Sequence, residues 1–523
     1  FYSGQIYSQW TDSVSTELRV SRAEVADQQG PVGFDEATGP NPQPRLIVGT
    51  PNLPAAGDPD PAIPGGRNGQ LLSGPGFSRT ANDLRTKIDQ ARFIINVDAG
   101  SGHNIKLGAE LNDLEVFNLF VQDATGTLFF QNLDDFENGL IAGGNLTNTN
   151  SNNLVGNRTV GATIRGARDF EITNAAASFS RQIWSFFAQD DWQATDKLAI
   201  NAGVRVQLYD GDAPNFNQLF VDRIGFSNAT GFSSIDPVIL PRISATYEFE
   251  NDGFFSNSRL TGGVGIFSGG DPVVFFSNAF SNDGFAFGLG DTNSPLCAGL
   301  VRGAGNKISV LDANGNFTGV PQCVVNAAEA AASAGNGQVQ TISPDFDVPT
   351  AVRANIGFGT TFGTEGGFFS DWRLNVDYIY TRFNDTLAIV DLLQQVNPSQ
   401  GLNGFTVDGR PIYNPIDPLR PGCDAQIVGN GNNNPRWTGL SPACFSPTNS
   451  NVQEFLQLTN GPSFDAHNFS VILSKRFNRG IITDGGSVNV NFGYAFSDTE
   501  QTVNSRSTTA GSQFDGTAAF DPQ

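Results

Sequence analysis

Two histidines, His103 and His467, are the whole supply of imidazole in this chain of 523 residues. A serine–histidine–acid relay would have to use one of them. The spacing predicts His103 in a turn over 99–103 and His467 at the entrance to a strand, places that suit surface histidines. Adjacent acids at Asp134-Asp135 and Asp190-Asp191 could share a proton, but neighbours on an extended strand project to opposite faces. The glycine runs at Gly262-Gly-Val-Gly and Gly357-Phe-Gly lack the Lys-Ser/Thr of a phosphate loop, and no βαβ pattern surrounds them. Strand glycines that let the backbone curve or an aromatic neighbour pack fit better. Asp312-Ala-Asn-Gly-Asn316 has the oxygens of a calcium loop without the closing Glu of an EF-hand, and reads as an Asn-Gly hairpin turn. No catalytic residue, fixed metal site or enzyme activity is predicted. A divalent cation such as calcium in acidic loops is the one cofactor chemistry left open, and the ligand-binding residues are not identified.

The four cysteines, Cys297, Cys323, Cys423 and Cys444, lie in two local pairs within long polar segments. With so few histidines, a Cys/His zinc site is disfavoured. Three connectivities are open to four cysteines. Loop locality favours 297–323 and 423–444, each closing a loop in an oxidising compartment; four free thiols are the alternative. The net charge of −22 argues against nucleic acid, which needs clustered Lys and Arg. Acidic loops that keep a large surface solvated explain it, as would loops holding the cations that bridge lipopolysaccharide.

The elements that would position these residues are strands. From Lys197 to Tyr209, Leu198, Ile200, Ala202, Val204, Val206 and Leu208 share one face, and Asn201, Arg205 and Gln207 the other. Ser487 to Phe496 and Trp372 to Tyr378 repeat the pattern. Reading for such alternation predicts about twelve strands: 1–11 and 14–26, 83–98 and 104–121, 177–193 and 197–209, 239–250 and 258–268, 350–362 and 369–383, 464–477 and 486–498. Short turns alternate with long loops at 27–80, 122–175, 210–238, 269–348 and 386–463. A compact soluble domain does not place a long loop at every second connection, whereas an outer-membrane barrel does. Only 39% of residues are apolar and no run nears the roughly 18 of a membrane helix, but alternating strands dilute hydropathy in the same way. The fold class expected is therefore all-β, an antiparallel transmembrane barrel with a polar, hydrated or plugged lumen. Trp192, Trp372 and Tyr378 are candidate interfacial anchors, with ordinary strand aromatics as the alternative. Asn-x-Ser/Thr triplets at Asn145, Asn157, Asn228, Asn384 and Asn468 are coincidental on this reading. Met is absent, the chain opens on strand-like residues, and 518–523 is loop-like, so a piece from the middle of a larger barrel is expected.

Trp184-Ser-Phe-Phe-Ala-Gln-Asp-Asp-Trp192 followed by Leu198-Ala-Ile-Asn-Ala-Gly-Val-Arg205 resembles a hairpin of TonB-dependent outer-membrane receptors. Further segments are similar to the Oar-like branch: His103-Asn-Ile-Lys-Leu-Gly-Ala-Glu110, Val116-Phe-Asn-Leu-Phe120, Gly263-Val-Gly-Ile-Phe-Ser-Gly-Gly270 with Ser277-Asn-Ala-Phe-Ser-Asn-Asp-Gly284, Asp408-Gly-Arg-Pro-Ile-Tyr413, and Leu473-Ser-Lys-Arg-Phe477. The resemblance implies a barrel of about 22 strands, of which about ten are not in this chain. It also implies an N-terminal plug, a TonB box and a small regulatory-like β-domain, likewise not in this chain. In the family hairpin, the acids at 190–191 imply a lumen-facing carboxylate bonded to neighbouring strands. The expected place is the outer membrane of a Gram-negative bacterium. Expected partners are membrane lipid and lipopolysaccharide, the TonB complex, and an extracellular peptide, glycan or protein captured on the loops. A surface structural protein or adhesin without transport is the alternative function, and a secreted soluble β-rich protein a third.

Overall fold

A computed structural model describes residues 1–49, 70–142, 160–250, 253–269, 273–364, 368–405, 409, 412–428, 436–445, 455–477, 486–500 and 510. Asn145, Asn157, Asp408 and the stretches 59–64 and 518–523 lie outside the described residues. Twelve strands form one antiparallel sheet: β1 (Tyr2–Thr11), β2 (Val14–Gln28), β3 (Ala81–Gly100), β4 (His103–Val121), β5 (Ala177–Thr195), β6 (Leu198–Gly211), β7 (Val238–Glu248), β8 (Phe255–Ser268), β9 (Thr350–Phe362), β10 (Trp372–Asn384), β11 (Phe464–Phe477) and β12 (Val488–Thr499). Their order in the sheet is their order in the chain. Each lies within three residues of the expected span. One turn is tighter than expected. Ser101 and Gly102 both take positive φ, 53° and 83°, as a two-residue hairpin loop requires, so His103 opens β4 instead of sitting in a turn.

The two faces of this wall differ as the alternation requires. On β6 the six apolar residues Leu198 to Leu208 share a face with Trp184, Phe186 and Trp192 of β5 and with Leu107 and Leu111 of β4. Trp184, Phe186, Leu107, Val204 and Leu208 remain exposed to the outside of the protein. An apolar face this wide without protein cover faces lipid. Eleven residues from Leu198 to Leu208 make about 33 Å of strand, and a tilt of roughly 40° brings that to about 25 Å, the height of an outer-membrane apolar band. Above the band, β3 turns Asp83, Arg85, Lys87 and Asp89 outward. Arg22 lies 2.7 Å from Asp89 and Lys87 lies 2.8 Å from Glu115. These exposed pairs mark the level where water replaces lipid; they are individually weak.

The other face carries Arg92, Glu110, Gln189, Arg205 and Arg242. Among them the Phe187 ring lies over Gly108, where a Cβ would overlap it. The glycine is needed for that close approach.

Candidate functional site

The long loops fold into a cap above the wall. One five-stranded sheet takes Arg45–Gly49 and Gln70–Ser73 from the first loop, Thr127–Phe130 and Ala162–Gly166 from the second, and Gly288–Asp291 from the fourth. A three-stranded sheet joins Val339–Ile342 of the fourth loop to Thr386–Asp391 and Phe455–Gly461 of the fifth. The third loop contributes a helix, Gln218–Ile224, whose Phe220 and Ile224 are buried with Leu392, Leu393 and Phe455. Helix Gln322–Ser333 lies against Gly288 and Gly290, where any Cβ would run into its backbone. Loops expected as separate polar segments thus share sheets and cores.

Two disulfides sit in those cores. Cys297 is bonded to Cys323 beside Leu128, Phe130, Ile308 and Val324. Cys423 is bonded to Cys444 beside Ile416 and Phe445. The bridges span 26 and 21 residues, each worth about 3 kcal/mol by the loop-entropy relation. Asp123, with φ of 57°, ties the first loop to the second. Its carboxylate accepts from the Thr163 hydroxyl at 2.7 Å and the Thr127 hydroxyl at 2.5 Å, and its amide donates to the Phe77 carbonyl. Burial pushes the Asp123 carboxyl above the usual range, against the pull of those donors and Arg165. Burial likewise pushes Arg165 down, and its guanidinium lies over the Phe77 and Phe287 rings.

The cap reaches down onto the inner wall. Phe276 and Phe280, on the helix Val273–Ser281, pack with Leu114, Val116, Phe179 and Tyr209 from the upper ends of β4, β5 and β6. Phe179 stacks on Phe280 at 4.3 Å and Phe232 on Phe276 at 4.7 Å. The polar face of the strands therefore turns apolar where the cap rests. Below that seal lie two adjoining clefts of about 370 and 440 Å³, which share Arg92, Glu110, Arg205, Gln207 and Ser268. Glu110 is gripped from both sides, by Arg92 at 3.1 Å and Arg205 at 2.6 Å. Arg242 donates to the Gln189 amide oxygen at 2.6 Å. In the sequence Arg205 and Arg242 read as members of polar strand faces, Glu110 and Gln189 stand only within the resembling segments, and Arg92 carried no signal.

The residues singled out from the sequence fall elsewhere. His103 Nδ1 lies 2.7 Å from Asp190, and its ring stacks on Trp192 at 4.9 Å. All three are on the outward face at the turn end of the hairpin, where a polar group needs a local partner. Asp190 therefore faces outward; the lumen-facing acid is Asp191, which accepts from Gln189 at 3.0 Å and also from Asn201. His467 Nδ1 lies 2.8 Å from the Tyr378 hydroxyl, also on the outward face but toward the loop end. Trp372 is buried at the turn end, its indole donating to the Phe368 carbonyl and its ring below the Lys475 amine. Asp134 and Asp135 lie in a short helix, Leu133–Glu137, not on a strand; Asp135 pairs with Lys307. Asp312 accepts from the Asn314 and Asn316 amides, both at 2.8 Å, and bonds to the Asn316 side chain hold its carboxyl below the usual range. Its oxygens are thus engaged by its own turn. Asn228 is fully buried, bonded to Asn215 and Asn217. Among the described residues no group of three or more His, Cys, Asp or Glu could hold a metal ion.

Among solved structures, the chain is similar to the outer membrane transporter YddB from Escherichia coli, at 9% identity over 95% of this chain and 42% of that one, TM-score 0.43. It is also similar to the copper transporter OprC, at 8% identity over 95% and 47%, TM-score 0.38. A variant of the ferric enterobactin receptor PfeA from Pseudomonas aeruginosa aligns at 10% identity over 94% and 42%, TM-score 0.38. The chain spans less than half the length of each of these three. No curated protein matches it. The sequence does match the family described as outer membrane beta barrel domain over residues 5–521, nearly its whole length. That match agrees with the lipid-facing wall and places the protein in the outer membrane. The chain belongs to the outer membrane beta barrel domain family.

Proposed function

We propose that this chain is the barrel portion of a TonB-dependent receptor of the Oar-like branch, a non-enzymatic transporter of a Gram-negative outer membrane. Its cap captures an extracellular ligand, and energy supplied through TonB opens a path along the polar wall. The observation that supports this most is the junction of cap and wall. A folded recognition unit rests by an apolar seal on a charged inner face. A structure of that kind fits capture coupled to passage better than a passive pore, because the recognition unit and the charged wall adjoin. Rigid scaffolds present binding loops, and the third, fourth and fifth loops meet the wall here. A peptide, glycan or protein ligand suits the breadth of the cap.

A second reading, a surface structural protein or adhesin without transport, draws support from the two disulfides and shared sheets, which suit a load-bearing surface. The two part on one experiment. Cells with and without the intact gene, in TonB-containing and TonB-deleted backgrounds, are compared for solutes removed from the medium. A solute whose depletion needs both proteins is the expected result. If no solute behaves so while attachment to surfaces is lost, the adhesin reading takes its place.

A further inference from the structure

We propose that the two clefts beneath the seal form one binding site for a polyanion, a solute carrying two or more carboxylates or phosphates. The proposal rests on the receptor reading, since it names the chemistry of what the inner wall meets. The clefts are lined by six cationic side chains and a single carboxylate, Glu110. In a chain of net charge −22 this excess of positive charge is local and runs against the composition.

Of the four cations around Glu110 and Gln189, the wall neutralises the equivalent of one. Glu110 is already shared between Arg92 and Arg205, so that trio keeps one positive charge. Arg242 meets the uncharged oxygen of Gln189. Lys106, opposite Gln189 on the other side, has no ion-pair partner among the described residues. Lys106, Gln189 and Arg242 lie in one register row, with Gly203 between the last two. Arg205 stands in the next row, opposite Phe187, and Arg92 in the row beyond, opposite Glu110. Successive rows on one face are about 7 Å apart, so the charge is spread along the wall as an elongated ligand requires. Arginine forks match carboxylate and phosphate oxygens in pairs, which favours these groups over a halide. The apolar seal borders the second cleft at Tyr209, and contacts beside it are less screened than contacts in open water.

The test uses the full chain in detergent micelles at low ionic strength, titrated calorimetrically with tricarballylate, pyrophosphate and uncharged sucrose. At least one anion should bind, showing whether carboxylate or phosphate is preferred; affinity should fall as salt rises, and sucrose should not bind. Lys106→Gln and Arg242→Gln, neither of which removes an ion pair, should each weaken binding about tenfold. Gln189→Glu supplies a wall carboxylate between the two cations, gives up the bond to Asp191 and should weaken it similarly; unchanged heat-modifiable migration of each variant shows that the wall is still assembled. Absence of binding by both anions, or binding that all three variants leave unchanged, overturns the site. TonB-dependent uptake that these variants leave intact while they abolish anion binding also overturns it as the ligand site, and leaves the receptor standing. Anion binding that follows the expected pattern in a protein without TonB-dependent uptake supports the site and removes the receptor reading.

Discussion

The wall and the cap of this protein are built by opposite rules. In the wall each strand bonds to its neighbour in sequence, always antiparallel, and the apolar residues point away from the protein. In the cap, strands from loops more than a hundred residues apart share a sheet, and apolar residues point inward. Arg45–Gly49 even runs parallel to Thr127–Phe130, and Val339–Ile342 parallel to Phe455–Gly461, pairings no tight hairpin produces. The solvent explains the contrast. In lipid every backbone group must be satisfied laterally, which a chain-ordered sheet achieves with the least loop closure. In water the cap needs a buried core, and short strands from one loop alone cannot bury enough surface. Two disulfides supplement its cores.

The strongest way to break the comparison is to remove both bridges. Cys297→Ala with Cys323→Ala, combined with Cys423→Ala and Cys444→Ala, should cost the cap about 6 kcal/mol in total. The wall should still show heat-modifiable migration, while protease cuts the cap loops. A wall that fails to assemble would mean the cap holds it up. A smaller and opposite effect is expected from Val204→Arg, midway along the lipid-facing run of β6. It should cost the wall about 2–4 kcal/mol in a denaturant titration in micelles or bilayers. No effect would mean that this face does not meet hydrocarbon.

The smallest effect concerns pH. Because burial raises the folded pKa of Asp123 above its ordinary value of 3.8, its contribution to cap stability is fully present below that value. It is lost as pH rises through the raised folded value. Amide protection in Thr127–Phe130, corrected for intrinsic exchange, should therefore decline over that rise in the wild type. In Asp123→Asn that decline should vanish, leaving a loss that does not change with pH. Equal slopes in both would remove the junction role assigned to Asp123.

The wall was legible because its code is local. Val204 and Arg205 declare opposite faces by adjacency alone, and the Ser101-Gly102 turn is written in residues that tolerate positive φ. The cap was legible only as loops with a cysteine pairing. Nothing in Phe130 or Cys297 announces that Ile308, far along the chain from Phe130, will pack with both. His103 shows the same limit at close range. Its stacking on Trp192 and its bond to Asp190 follow from a register between β4 and β5 that alternation leaves open.

The strands, their order, their two faces and hence the membrane follow from short-range pattern alone. A period of two and the alternation of short and long connections are properties of neighbouring residues. That five loops make one cap, and that Arg92, Lys106, Arg205 and Arg242 line adjoining clefts around one glutamate, emerges only on folding. Lateral register and long-range packing are cooperative: each pairing is favourable only once its neighbours are in place, so no single stretch of sequence encodes it.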